Sequence, residues 1–141
     1  AVRFEVAGVP VPQGSKKAFV VGRRAVIVDV AGKQLKEWRA LVAAAVDAAV
    51  WLPGERELFC DRATPLAVTA MFRMWRGTTV RRLWPTTKPD LDKLQRAVLD
   101  GITDGGGWAD DSQVVEVTAS KRYGPPGVSV RVEVLEEWET A

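Results

Sequence analysis

Val2, Phe4 and Val6 alternate with Arg3 and Glu5, a period of two that predicts a half-buried strand over 2–7. The stretch GVPVPQGSKK at 8–17 ends that strand with two prolines and two glycines, and leaves Ser15, Lys16 and Lys17 as an exposed basic turn. Segments 18–21 and 25–28 flank Gly22-Arg23-Arg24 as a short hairpin. The period then changes. Over 33–52, Leu35, Trp38, Val42, Ala45 and Ala49 recur at helical spacing, until Pro53-Gly54 stops the helix. Alternation returns at 66–75, where Leu66, Val68, Ala70, Phe72 and Met74 predict a central strand.

The segment 76–89, RGTTVRRLWPTTKP, has no periodicity and reads as a long, mobile, basic loop. Pro89 suits the first turn of the helix that follows, whose buried stripe is Leu91, Leu94, Val98 and Ile102. Gly105-Gly106-Gly107 breaks it. Val115, Val117 and Ala119 mark one face of a strand, and Val128, Val130, Val132 and Val134 one face of another, with Tyr123-Gly124-Pro125-Pro126-Gly127 turning between them. The order β-β-β-α-β-α-β-β predicts an α/β or α+β chain, a mixed sheet with two principal helices. No repeat or linker divides 1–141, so a single domain is expected.

Composition narrows the chemistry. No apolar run approaches the roughly 18 residues a membrane span needs. The opening AVRFEV lacks the basic-then-apolar layout of a signal peptide. Cys60 is the only cysteine, which excludes an internal disulfide and cysteine-cluster zinc sites. A cytoplasmic setting is expected. Histidine is absent, which removes Ser-His-Asp and Cys-His nucleophiles and HExxH metalloprotease sites together. Hydrolysis by this chain must rest on carboxylates, lysine, tyrosine or a hard metal ion. Charge is also uneven: residues 1–88 carry 15 Lys/Arg against 7 Asp/Glu, whereas 89–141 carry 5 against 11. One half suits gripping phosphates and the other binding cations.

Asp90 and Asp92 stand two apart where the basic loop becomes a helix, and Asp110-Asp111 follow about 20 residues later at the opening of a strand. First-turn acids are common because free N–H groups and the helix dipole stabilise them. A second acidic pair has no such explanation. If the strand lies beside the helix, the two corners can converge, and oxygen-only ligands suit Mg²⁺ or Mn²⁺. An EF-hand is excluded, since the sixth position counted from Asp90 is Gln95 instead of glycine. Arg96 lies one turn after Asp92, placed either for an ordinary ion pair or to reach a phosphate.

KPDLDKLQRAVLDGI at 88–102 and WADDSQVVEVTASKRYG at 108–124 resemble the RusA family of Holliday-junction resolvases, common in phages and prophages, as does VAGVPVPQGSKKAF from Val6 to Phe19. The resemblance implies that Asp90, Asp92 and Asp111 are metal-binding catalytic aspartates, with Asp110 a neighbouring acid of lesser weight. It implies a homodimer that binds four-way junctions and nicks two opposing strands with Mg²⁺ or Mn²⁺. One departure matters. Arg96 stands where the family usually has lysine, and Lys93 where it often has asparagine. Arginine cannot act as a base, so either Arg96 serves charge on the phosphate or Lys93 has taken over the lysine's role. The same substitution leaves open a non-catalytic module that binds branched DNA. Candidate phosphate contacts are Lys16, Lys17, Arg81, Arg82, Lys88, Lys93, Lys121 and Arg122. Trp84 and Tyr123 are candidates for stacking on unpaired bases. Trp38, Trp51 and Trp75 are expected to pack, and Trp108 to wedge the loop before Asp110.

Overall fold

The computed structural model describes residues 1–14, 16–29 and 32–136, with 16–19, 21 and 25–29 described in backbone alone. Strand β1 is Val2–Ala7, β2 Lys16–Val21 and β3 Arg24–Asp29; helix α1 is Gly32–Asp47 and α2 Glu55–Phe59. Strand β4 is Leu66–Met74, α3 Leu91–Asp104, β5 Val114–Tyr123 and β6 Gly127–Val134, with a 3-10 turn at Asp111–Gln113 leading into β5. The expected α+β order holds, with α2 added. Four strands form one sheet in the order β1-β6-β4-β5, while β2 and β3 pair separately as the expected hairpin.

Alternation decides which face of the sheet is buried. Val2, Phe4 and Val6 sit opposite Val132, Val130 and Val128, and Leu66, Val68, Ala70 and Phe72 continue the same layer on β4. Against this layer lie the helical stripes Leu35, Trp38, Val42 and Val46 of α1 and Leu94, Ala97, Val98 and Ile102 of α3. The two helices approach closely because α3 is smooth there. A Cβ on Gly101 would lie 2.7 Å from Val42, and one on Gly105 only 2.5 Å from the Ala43 carbonyl. The small residues Ala97 and Gly101 therefore serve packing within the chain.

Several boundaries differ from the sequence reading, each for a local reason. Helix α1 ends at Asp47 instead of 52, because the Trp51 indole turns back and donates to the Val46 carbonyl at 3.1 Å. Lys16 and Lys17 open β2 instead of forming a turn, and Ser15 lies outside the described residues. Pro89 stands before the helix, since Asp90 is the N-cap. On β5, Val115 does not share the buried face: the register slips between Leu66–Val114 and Ala67–Glu116, so the bulge turns Val115 to solvent while Val114 and Val117 face the core. The turn at 123–127 makes no hairpin, because β4 lies between β5 and β6 and is parallel to β5.

Trp38 is buried, and Trp51 packs edge-on against Phe59 at 5.3 Å, as expected. Trp75 is not packed; it is 68% exposed where β4 gives way to the loop. No described helix is long and apolar enough to cross a membrane.

Substituting Gly105 by alanine drives a methyl group into the α1 backbone, and is expected to cost about 1–3 kcal/mol by urea denaturation. An unchanged midpoint would show that α1 and α3 can separate freely.

Candidate functional site

Helix α3 joins two acidic corners. Its N-terminus lies at the C-terminal ends of β4 and β5, where the Lys121 ammonium donates to the carbonyls of Thr87 at 2.9 Å and Pro89 at 2.8 Å. Its C-terminus leads through 105–110 to the start of β5. The helix has 14 residues, a length of about 20 Å.

At the first corner, Asp90 caps α3 in extended conformation and leaves its carboxylate to Lys88, whose ammonium donates to Oδ2 at 2.9 Å. That hydrogen bond, reinforced by the charges of Lys88, Lys121 and Lys93, holds the Asp90 carboxyl below the usual aspartate range. Asp92 is exposed in the first helical turn. Lys88, read from sequence as a phosphate contact, thus bonds an acid, and the charges of Lys93 and Lys121, read the same way, act on it.

At the second corner, geometry comes from Gln113, which is 4% exposed. Its Oε1 accepts from the backbone N–H groups of Ala109 and Asp110 at 2.8 and 3.0 Å. Its amide nitrogen reaches the carbonyls of Phe59, Asp61 and Thr64 at 2.8, 2.9 and 3.2 Å. One buried amide therefore ties the acidic loop to the segment between α2 and β4. Trp108 is buried beside it and donates from its indole to Thr103 Oγ1 at 2.7 Å, the wedge that the sequence implied. Ser112 donates to Asp110 Oδ2 at 2.6 Å, and this bond is the main reason that the Asp110 carboxyl titrates low. Asp111 is left exposed.

The strand does run beside the helix, but the corners lie towards opposite ends of it. Among the described residues, no group of three acids gathers closely enough to hold a metal ion, so Asp90, Asp92 and Asp111 of one chain do not come together as a single cluster. Asp111 acts instead on Asp100, two turns along α3 from Asp92. Burial is the largest influence there and raises the Asp100 carboxyl; Arg39 and Arg96 oppose it, and Asp111 and Asp104 add to it. Asp92 and Arg96 do not close an ion pair, so the ion-pair reading of that spacing fails. Asp100 was missed in the sequence, although Asp92, Arg96 and Asp100 at successive four-residue steps form one helical stripe.

The basic candidates divide. Arg81 and Arg96 are exposed, and Lys93 is half-buried. Arg82 donates from Nε to the Tyr123 hydroxyl at 2.8 Å, and the Arg122 guanidinium lies 5.1 Å from the centre of the Trp84 ring. The 76–89 loop is consequently tied to β5 at both Tyr123 and Lys121, not hanging free. The backbone of Lys16 and Lys17 runs in β2, and their side chains lie outside the described residues.

Replacing Gln113 by alanine strands buried carbonyls and N–H groups, with an expected loss of about 2–4 kcal/mol in urea denaturation. A loss within about 0.5 kcal/mol, the ordinary range for a surface position, would show that Gln113 is not what holds the Asp110-Asp111 loop.

Two comparisons with known proteins bear on this arrangement. The family profile described as Endodeoxyribonuclease RusA matches residues 7–133. The chain is also 31% identical over 137 residues to "Uncharacterized protein YqaN" of Bacillus subtilis (strain 168), covering 95% of this chain and 94% of that one. With the match extending from the end of β1 to the end of β6 and spanning both acidic corners, the chain belongs to the RusA endodeoxyribonuclease family.

Proposed function

We propose that this protein is a cytoplasmic, structure-specific endonuclease that resolves Holliday junctions and related branched DNA by paired, symmetric nicks, using Mg²⁺ with Mn²⁺ as a substitute. The observation that carries the reading is an aspartate at a helix entrance bonded by Lys88, with Lys93 in the same cleft and Lys121 on the neighbouring Pro89 carbonyl, in a chain of an endodeoxyribonuclease family. Lysines at that place draw a phosphate backbone towards the acid. In this reading Arg81 and Arg96 lie on the DNA-facing side. Arginine does not act as a base, so Arg96 serves the phosphate and not the proton. Lys93, beside Asp90, remains the candidate for any role that needs a group able to lose a proton.

The separation of the corners bears on assembly. An acid pair at one end of α3 and Asp111 towards the other suit a two-fold dimer in which Asp90 and Asp92 of one copy stand near Asp110 and Asp111 of the second. Two-fold symmetry repeats the pairing, yielding two sites for two opposing strands. The cation-binding set is then complete only in the dimer.

A labelled synthetic four-way junction tests the activity. Wild-type protein with Mg²⁺ is expected to cut two opposing strands at symmetric positions, and Asp92→Asn to abolish cutting. Undiminished nicking by Asp92→Asn sinks the assignment; binding without nicking under any divalent metal would favour the non-catalytic module.

Mixing tests the shared site. Combining Asp92→Asn with Asp111→Asn protein is expected to restore nicking of a single strand, because one of the two composite sites regains every aspartate. If each copy carries a complete site of its own, the mixture stays inactive.

A further inference from the structure

The surface beside the Asp90 corner is aromatic as well as basic. Trp75 is 68% exposed, Leu83 79% and Trp84 54%, on one short stretch between β4 and α3. Large apolar side chains exposed on so short a stretch call for a partner outside the chain where they stand together. Arginines hold two of the rings here, those of Trp84 and Tyr123. Arg122 covers Trp84, the Arg76 guanidinium lies 5.8 Å from the centre of the Tyr123 ring, and Arg82 bonds the Tyr123 hydroxyl. A guanidinium over one ring face orients the ring and keeps the surroundings positive. Between Trp75 and Tyr123 opens a cleft of about 280 Å³, also lined by Arg82, Thr87 and Lys88. Lys88 belongs equally to a neighbouring cleft of about 380 Å³ that contains Asp90 and Lys93. The aromatic cleft and the acidic corner are thus adjacent.

A flat π-face in a cationic frame suits an unstacked nucleobase attached to a phosphate. Duplex DNA presents no free base face, whereas a branch point does. We propose that Trp75, Trp84 and Tyr123 form a stacking surface for bases unpaired at the branch point, and that this surface makes the protein select branched over linear DNA. The inference rests on the nuclease reading and adds the origin of its selectivity. It gives the exposure of Trp75 a purpose, and it explains why the 76–89 loop is tied to β5: a loose loop would lose the ring geometry.

The test measures binding of full-length protein to a four-way junction and to a duplex of the same sequence, with metal chelated so that nothing is cut. Trp75→Ala and Trp84→Ala are each expected to lower the junction-to-duplex affinity ratio about tenfold, the loss of roughly one base stack. Trp75→Phe keeps most of the ratio, because a smaller π-face remains. Both tryptophans are exposed, so circular dichroism is expected to stay native. An unchanged ratio in Trp75→Ala overturns the proposal, even while wild-type protein nicks junctions. So does a shift from dimer to monomer with selectivity per dimer intact, which would make the patch a contact between copies. If wild-type protein never nicks but Trp75→Ala still loses selectivity, the catalytic reading falls and the stacking surface stands.

Discussion

The fold around the Asp110-Asp111 corner depends on a single buried amide. Gln113 bonds the loop before β5 through its oxygen and the α2–β4 connection through its nitrogen, so two irregular segments share one polar group. Irregular backbone cannot be buried without partners, since each unpaired carbonyl or N–H carries a desolvation cost. A glutamine fits because it offers both an acceptor and two donors. Around this clasp, Arg39 pairs with Asp104 through both nitrogens, and Arg56 donates to the Gly105 carbonyl. The C-terminal end of α3 is consequently fastened from α1, from α2 and from the start of β5. Asp110 and Asp111 are presented from a fixed base.

The other end of α3 is organised by charge instead of burial. Lys88, Lys93 and Lys121 keep Asp90 ionised, and Lys121 also holds the loop through the Thr87 and Pro89 carbonyls. Lysine serves well here, being a compact charge on a flexible stem that can leave a carboxylate for a phosphate. One helix therefore carries a rigid acidic corner at one end and an exchangeable, lysine-neutralised one at the other. Its spine is small: Ala97, Gly101 and Gly105 let α1 press against it.

Much of this was legible in the residues. The period-two segments and the α3 stripe appeared as strands and a helix because burial on one face imposes that alternation. Asp90, Asp92, Asp110 and Asp111 stood out because acids clustered at element boundaries are visible without coordinates. Gln113 lay within the 108–124 stretch that carries the resemblance, yet its role was not legible there, because its partners at 59, 61 and 64 lie some fifty residues away. The exposure of Trp75 was misjudged for a similar reason. A large apolar side chain is expected inside unless something beyond the chain requires it outside.

What the sequence by itself determined is the strands and the two principal helices, the family and the acids, since these follow from local periodicity and from a motif written in consecutive residues. Tertiary structure alone decided distance and direction. It put β4 between β5 and β6, turned Val115 outward through a bulge, and set the aspartate pairs towards opposite ends of α3 instead of together. Strand order and bulges arise from how remote segments pack and pair, and no spacing along a chain encodes them.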